Sequence, residues 1–293
     1  MHLLVTGAGG FVGAEMVLAL LARGHRITAA VGSGRGRLPQ NAERLGVLKI
    51  VSGDLSIDMR LPDSIDAVVH AAARSIWPGV TVAAMVRDNV GATARLISHA
   101  RRSGVKRFIF LSSLSVYGKI SVSVVDEATP IIDPDAYGLT KRLGEEMLKD
   151  AADSFPSLSM RLPGVIGRGS VRNWLTSVME AARAGREITV FNPDAPFNNA
   201  VHVADLGEFV CNLLERERTG ADIVTLGAAG QASIREVVQS LCDSFGGQSR
   251  LRIETATKPG FVVSSDRANK FYGYGPMDIA EMLMRFAAEN TIK

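Results

Sequence analysis

Gly7, Gly10 and Gly13 stand at a three-residue spacing directly after a short apolar run at residues 2–5 and at the mouth of an amphipathic stretch at 10–22. This feature most restricts the fold. A buried strand that turns on glycine into a helix, followed by a second strand at 26–31, forms a βαβ unit, and such a unit sets its strands parallel. The early glycines allow a tight turn in which backbone N–H groups approach a pyrophosphate at the helix N-terminus. The last one lets helix and strand pack closely.

The alternation continues with strands at 47–51, 67–70, 107–111 and 159–162, and with helices at about 82–102 and 135–150. Repeated strand–helix alternation predicts an α/β fold, a Rossmann-like doubly wound parallel sheet covered on both faces. After Leu162 the rhythm breaks at Pro163, Gly164, Gly167 and Gly169, and later strands at 200–203, 223–226 and 251–253 are scattered among helices. The expectation is a dinucleotide-binding domain at 1–162, to which the chain returns at about 197–218. Residues 163–196 and 219–293 would form a smaller C-terminal substrate-binding lobe.

The 33 basic and 30 acidic residues leave a net charge of +3, with no basic run longer than Arg101-Arg102. Neither nucleic acid nor an acidic membrane is expected as a partner. Cys211 and Cys242 lie within apolar helical patterns and read as buried thiols, not as a disulfide or metal site. The apolar run at 3–5 has no basic flank and is cut short by the glycine loop, so it reads as a strand, not a signal peptide. Cytoplasmic residence is the expectation.

Tyr137 and Lys141 are four residues apart on a predicted helix, which puts a phenol and an ammonium on one face. Free tyrosine titrates near 10, so acid–base work at neutral pH requires a drop of roughly three units, about 4 kcal/mol. A neighbouring positive charge supplies part of that. The end of the second strand carries no acid to grip the ribose of NAD. Ser33, Arg35 and Arg37 stand there instead and suit a 2'-phosphate, which favours NADP over NAD unless they belong to a solvated loop. Asp54, after the third strand, is a candidate for the adenine amino group or a turn-forming aspartate.

With these residues in view, the chain resembles the extended short-chain dehydrogenase/reductase family of nucleotide-sugar epimerases, dehydratases and 4-ketoreductases. The likeness runs through residues 6–13, His70-Ala71-Ala72-Ala73, residues 88–93, 111–118 and 137–141, then 161–169, 201–206 and 266–270. It implies a catalytic set of Ser113, Tyr137 and Lys141, with Ser112 and Ser115 supporting the loop. It implies cofactor contacts at Gly7, Gly10, Phe11, Val12, Gly13, Leu55, Ala71, Ala72, Ala73, Tyr137, Lys141 and Pro163, beside Ser33, Arg35, Arg37 and Asp54 read from the residues themselves. Asn89, a structural element of the family, is placed with them. The implied substrate contacts are Ser113, Gly164, Arg168, Asn173, Trp174, Asn199 and Lys258. No metal is implied, and a homodimer is.

Three departures bear on the substrate. Gly164 stands where the UDP-sugar epimerases usually have Asn, Asn198-Asn199 where they have an Arg-Asp pair, and Lys258-Pro259-Gly260-Phe261 where they have a phosphate clamp. Trp174 stacks a uracil or sugar, or fills a core; Arg168 meets a phosphate or solvent; His202 reads as a buried strand histidine. The leading expectation is an NADP-linked 4-ketoreductase acting on a nucleotide-linked keto sugar or a similar carbonyl. The alternatives are an NAD-dependent nucleotide-sugar 4-epimerase and, in another class, a non-catalytic NAD(P)-sensing protein.

Overall fold

Seven strands form one sheet: β1 (His2–Thr6), β2 (Arg26–Val31), β3 (Leu48–Ser52), β4 (Ala67–His70), β5 (Arg107–Ser113), β6 (Ser157–Leu162) and β7 (Ala221–Thr225), in the spatial order β7-β6-β5-β4-β1-β2-β3. The computed structural model describes residues 1–32, 34, 36–216, 219–255 and 259–291. The pairs β1–β2, β2–β3, β1–β4 and β4–β5 are parallel. Strand order therefore reverses between β1 and β4, and ligands of open α/β sheets bind at the carboxyl ends of strands beside such a switch point. The sequence expectation of a doubly wound Rossmann-like sheet is met.

β1 lies in the middle of the sheet, and Leu3, Leu4 and Val5 are fully buried. That is why it reads as an unbroken apolar run without alternation. α1 (Phe11–Ala22) follows it, burying Met16, Val17 and Leu20. The stretch expected as one helix at 82–102 has three parts: an α-helical turn Val82–Met85, a π-helical segment Val86–Gly91, and α2 (Ala92–Ser103), which stops at Gly104 in the left-handed conformation. α3 (Ala136–Asp150) begins on Asp135, whose carboxylate accepts from Gly138 N at 2.7 Å.

The chain divides into two compact units. The first comprises residues 1–119, 131–161 and 207–224; the second comprises 120–130, 162–206 and 225–293. These bounds differ from the sequence expectation mainly at 120–130, 197–206 and 219–224, the last because β7 (Ala221–Thr225) belongs to the seven-stranded sheet. Residues 120–130 join the second unit because Val124–Val125 pairs with Val262–Val263 and Glu127 accepts from Thr225 N and Oγ1 at 2.6 and 2.9 Å. Residues 197–206 join it because Ala200–His202 pairs with Gly164–Ile166, and Asn198 bonds the backbone of Ala228 and Val263.

The second unit is built from two-stranded pairs and the helices α4 (Trp174–Arg183), α5 (Ile234–Ser244) and α6 (Ile279–Thr291) around Ile166, Val178, Val238, Leu241 and Phe286. Ser233 and Glu236 form a reciprocal capping box at the start of α5. Cys211 and Cys242 are buried free thiols, and burial raises the pKa of both. Among the described residues no helix is long and apolar enough to cross a membrane.

Candidate active site

The phosphate-type loop leaves β1 at Gly7, whose φ of +66° suits glycine, and a Cβ there would lie 2.7 Å from the backbone of Ala72. A Cβ on Gly13 would lie 2.1 Å from Gly7 O, so strand and helix meet with no room for a side chain. Gly10 caps α1 without a side chain, and the first turn of α1, including Phe11 and Val12, holds no acid. With no acid and no capping side chain there, the positive end of the helix dipole is left uncompensated, which fits a dinucleotide pyrophosphate.

The loop at Ala71, Ala72 and Ala73 is tied to β1 by Ala71 N donating to Thr6 O and Ala72 N to Thr6 Oγ1, both at 3.3 Å. Beneath it lies buried His70. Thr93 Oγ1 donates to Asn89 O at 2.6 Å, so it accepts from His70 Nε2 at 3.0 Å, and His70 Nδ1 accepts from Thr6 Oγ1 at 2.7 Å. That assigns one neutral tautomer. Burial first, and the charge of Lys141 second, bring the imidazole down to about 3. Asn89 is occupied as well: Oδ1 accepts from Arg74 N, and Nδ2 donates to Arg74 O and Thr140 Oγ1. Its amide ties the β4 loop to α3 and is spent before any cofactor arrives.

Of the residues expected near the adenosine, Ser33 and Arg35 lie outside the described residues. Arg37 is exposed, with Nη1 3.9 Å from Glu15 on α1. Asp54 accepts Ser56 N at 2.8 Å and Ser56 Oγ at 2.6 Å, which makes it a turn-forming aspartate, and these bonds from Ser56 lower its pKa. Leu55 O accepts from Arg95 Nη1 at 3.1 Å.

Ser113, Tyr137 and Lys141 all belong to the first unit. Ser113 ends β5 and its Oγ accepts Ser115 N and donates to Ser115 Oγ, both at 3.1 Å, capping the short turn Leu114–Tyr117. α3 packs on that turn so closely that a Cβ at Gly138 would lie 2.1 Å from Ser115 O. Buried Lys141 donates from Nζ to Leu111 O at 2.7 Å, with Nζ 4.7 Å from the centre of the Phe110 ring and 5.8 Å from that of Tyr137. Burial brings its ammonium down to about 7, opposed by Glu145. Tyr137 moves the other way from the sequence expectation: burial, and then Asp135, push its phenol up to about 12. The acceptor of the Lys141 bond is the Leu111 carbonyl and not the phenol, and burial sets the direction of the Tyr137 shift.

The second unit holds a cavity of about 770 Å³ whose walls include Trp174, Phe191, Phe197 and Phe261. Gly164, Asn173 and Asn199 line it too. Asn173 is the N-cap of α4, accepting Thr176 N at 2.9 Å and donating to Val165 O at 3.2 Å. Trp174 is 40% exposed and tilts against Phe197 with ring centroids 5.2 Å apart, so it is a wall and not a core tryptophan. Asn199 Oδ1 is buried with no hydrogen-bond partner among the described residues. Arg168 is exposed in a glycine turn and does not line the cavity, Pro163 is half-buried, and Lys258 lies outside the described residues. His202 is a buried strand histidine, bonded to Glu289 Oε2 at 3.2 Å. Asn199 was placed by resemblance; that its oxygen would be left unpaired had no signal in the sequence.

The profile of the NAD dependent epimerase/dehydratase family matches residues 3–227. UDP-glucose 4-epimerase of Azospirillum brasilense is 27% identical over 94% of this chain and 87% of its own length, and that of Bacillus subtilis (strain 168) is 29% identical over 82% and 81%. A 3 beta-hydroxysteroid dehydrogenase/Delta 5-->4-isomerase of Mycobacterium tuberculosis (strain ATCC 25618 / H37Rv) is 32% identical over 57% of this chain and 48% of its own. The crystal structure of UDP-glucuronic acid 4-epimerase from Bacillus cereus in complex with NAD superposes with a TM-score of 0.82 at 22% identity, over 99% of this chain and 98% of that one, a likeness of fold. The chain belongs to the NAD-dependent epimerase/dehydratase family, enzymes of the extended short-chain dehydrogenase/reductase group.

Proposed function

We propose that this enzyme is an NAD-dependent nucleotide-sugar 4-epimerase, with the first unit as its cofactor domain and the second as its substrate lobe. The observation that carries the reading is the placement of Tyr137 and Lys141 on one face of α3, with Lys141 Nζ anchored 2.7 Å from Leu111 O at the end of β5. The sequence alone favoured a 4-ketoreductase. The relatives that align over most of the chain are 4-epimerases, so the alternative reading now fits better. NAD is the proposed cofactor for a parallel reason: solved neighbours hold NAD, and Arg37, one of the 2'-phosphate candidates, already leans on Glu15.

Bound NAD would supply the hydride acceptor and donor. Tyr137 Oη takes the proton of the sugar hydroxyl and returns it to the carbonyl oxygen after the sugar has turned its other face. Ser113 Oγ, released from Ser115, donates to that oxygen. Lys141 holds the nicotinamide ribose and presents positive charge to the phenolate. Gly7, Gly10, Phe11, Val12 and Gly13 bind the pyrophosphate through the backbone. In the second unit, Trp174 and Phe197 offer flat apolar faces to a base, and Asn199 Oδ1 is an acceptor for a ring N–H; Lys258 and Arg168 are the candidate cations for the diphosphate.

The test is to incubate the protein with NAD and UDP-glucose and follow the configuration at C4 by proton NMR. Interconversion of the C4 epimers without net change in NADH is expected, and Tyr137→Phe abolishes it. Net consumption of NADH or NADPH with a 4-keto sugar would replace the epimerase with the ketoreductase. Unchanged turnover in Tyr137→Phe would overturn the assignment of the proton carrier.

A further inference from the structure

Four donors converge on the carboxylate of Glu145, which is 2% exposed. Ser112 Oγ and Arg161 Nε donate to Oε1 at 2.7 and 3.0 Å, and Arg161 Nη2 and Arg142 Nη1 donate to Oε2 at 2.8 and 3.0 Å. A carboxylate offers about four lone-pair directions, so this one is saturated. Arg161 is equally buried; its remaining arm, Nη1, donates to the Oη of fully buried Tyr117 at 2.9 Å. Burial works against the Arg161 charge, but the bonds to Glu145 outweigh it and raise the guanidinium pKa further.

The members come from four places in the first unit: the end of β5, the turn behind it, α3, and β6. Ser112 is the chain neighbour of Ser113. Tyr117 closes the turn that Ser113 caps, and Glu145 lies one helical turn beyond Lys141. A shift of Ser113 relative to α3 therefore breaks at least one bond of the cluster. Stability alone does not account for such an arrangement, because desolvation offsets most of what a buried ion pair gains and apolar side chains would fill the space at no loss.

We propose that Glu145, clamped by Arg161, is a positioning residue that ties the serine end of β5 and its turn to the helix carrying Tyr137 and Lys141. The proposal rests on the catalytic reading of those three residues and adds what keeps them in register. It has an electrostatic side as well. Facing Lys141 Nζ are Tyr137 and Glu145 from its own helix, the Leu111 carbonyl and Phe110 ring from β5, and neutral His70 from β4. Glu145 is the anion among them. Removing it leaves the ammonium with burial unopposed, so Lys141 loses its proton at lower pH.

Two variants test this. Ser112→Ala cuts the tie to β5 and leaves the ion pair; Glu145→Met/Arg161→Met removes the pair while keeping the volume apolar and filled. Both are assayed for melting temperature, NADH affinity and UDP-glucose turnover, and Lys141 is titrated by carbon-13 NMR on lysine labelled at Cε, its signal assigned by Lys141→Met. Expected for the double variant are a melting temperature a few degrees lower, because Ser112 Oγ loses its acceptor and Tyr117 Oη its Arg161 donor, with native-like NADH affinity, a kcat lower by roughly 100-fold with KM little changed, and a lysine titration about one pH unit lower. Ser112→Ala lowers kcat by about tenfold. A folded double variant with native kcat and an unmoved lysine titration overturns the proposal. If the double variant does not fold, a native kcat in Ser112→Ala overturns it. If native protein does not turn over UDP-glucose, the substrate reading fails by itself, and the kcat comparison of the same variants is made on a 4-keto sugar with NADH or NADPH.

Discussion

His70 Nδ1 lies 2.7 Å from Thr6 Oγ1 and joins the carboxyl ends of β4 and β1, the two strands on either side of the topological switch point. The bond needs the imidazole neutral at that nitrogen. The unfolded chain takes up a proton near pH 6.5 and the folded one not until about 3, so the unfolded state binds more protons between these values and stability falls as pH drops through that window. The other four histidines, His2, His25, His99 and His202, are also lowered, each mainly by burial. Urea midpoints between pH 7 and 4 should decline. His70 alone contributes a slope of about 1.4 kcal/mol per pH unit, and His70→Asn should flatten the curve. A midpoint independent of pH over this range would contradict the network.

Asn89 makes three side-chain bonds while almost fully buried, so Asn89→Ala takes away the partner of Arg74 N and the amide donors to Arg74 O and Thr140 Oγ1, the last keeping its bond to Tyr137 O. The expected cost is about 2 kcal/mol, read as a lower denaturation midpoint at unchanged m-value. Because the same bonds tie the β4 loop to α3, NADH binding should weaken with it. Loss of neither would mean that water replaces the amide.

Gly13→Ala places a methyl 2.1 Å from Gly7 O, against backbone that has nowhere to retreat. NADH affinity, followed by nicotinamide fluorescence, should fall by at least about 100-fold, because the N–H groups of the turn lose their aim at the phosphates. A variant that binds NADH normally would remove the pyrophosphate from this loop.

Tyr137 without cofactor should ionise near pH 12, visible as the difference in ultraviolet titration between native protein and Tyr137→Phe. Stabilisation of the phenolate by positive charge makes the expected shift on adding NAD downward, by roughly five units if the phenol is to work at neutral pH, and Lys141→Met should abolish part of it. An unshifted phenol in the NAD complex would stay protonated at neutral pH and could not take the proton of the sugar hydroxyl.

UDP alone should quench the fluorescence of Trp174, separable from Trp77 by a Trp77→Phe background. Trp174→Ala and Asn199→Ala should each weaken UDP binding about tenfold, the first through lost stacking and the second through a lost acceptor. No quenching at saturating UDP would assign the cavity to another ligand.

The parts of the site legible in sequence were those fixed by local backbone needs. The glycines of the β1–α1 turn and the four-residue step from Tyr137 to Lys141 are constraints that any βαβ unit or helix of that composition must obey. The direction of the Tyr137 shift was not legible, because it depends on how deeply α3 sinks against β5 and on where Lys141 finds its acceptor. Trp174 could be read as wall or core, since one aromatic residue carries no sign of which face its helix turns inward. Glu145 and Arg161 escaped notice for a related reason: sixteen residues apart, they meet only because α3 and β6 pack together in the first unit. The boundary at 120–130 was missed because a two-residue strand, Val124–Val125, is too short to show a period.

The π-helical segment at Val86–Gly91 adds one residue to a turn that an α-helix would close without it. A relative that keeps a regular helix here must align with a one-residue gap, and an alignment that runs straight through will pair Asn89 with the wrong position. For the same reason, excising a single residue from 86–91 should convert the wide turn to a regular α-turn and leave the first turn, Val82–Met85, on nearly the same face relative to α2. The extra residue is thus one that the fold can lose without losing the helix.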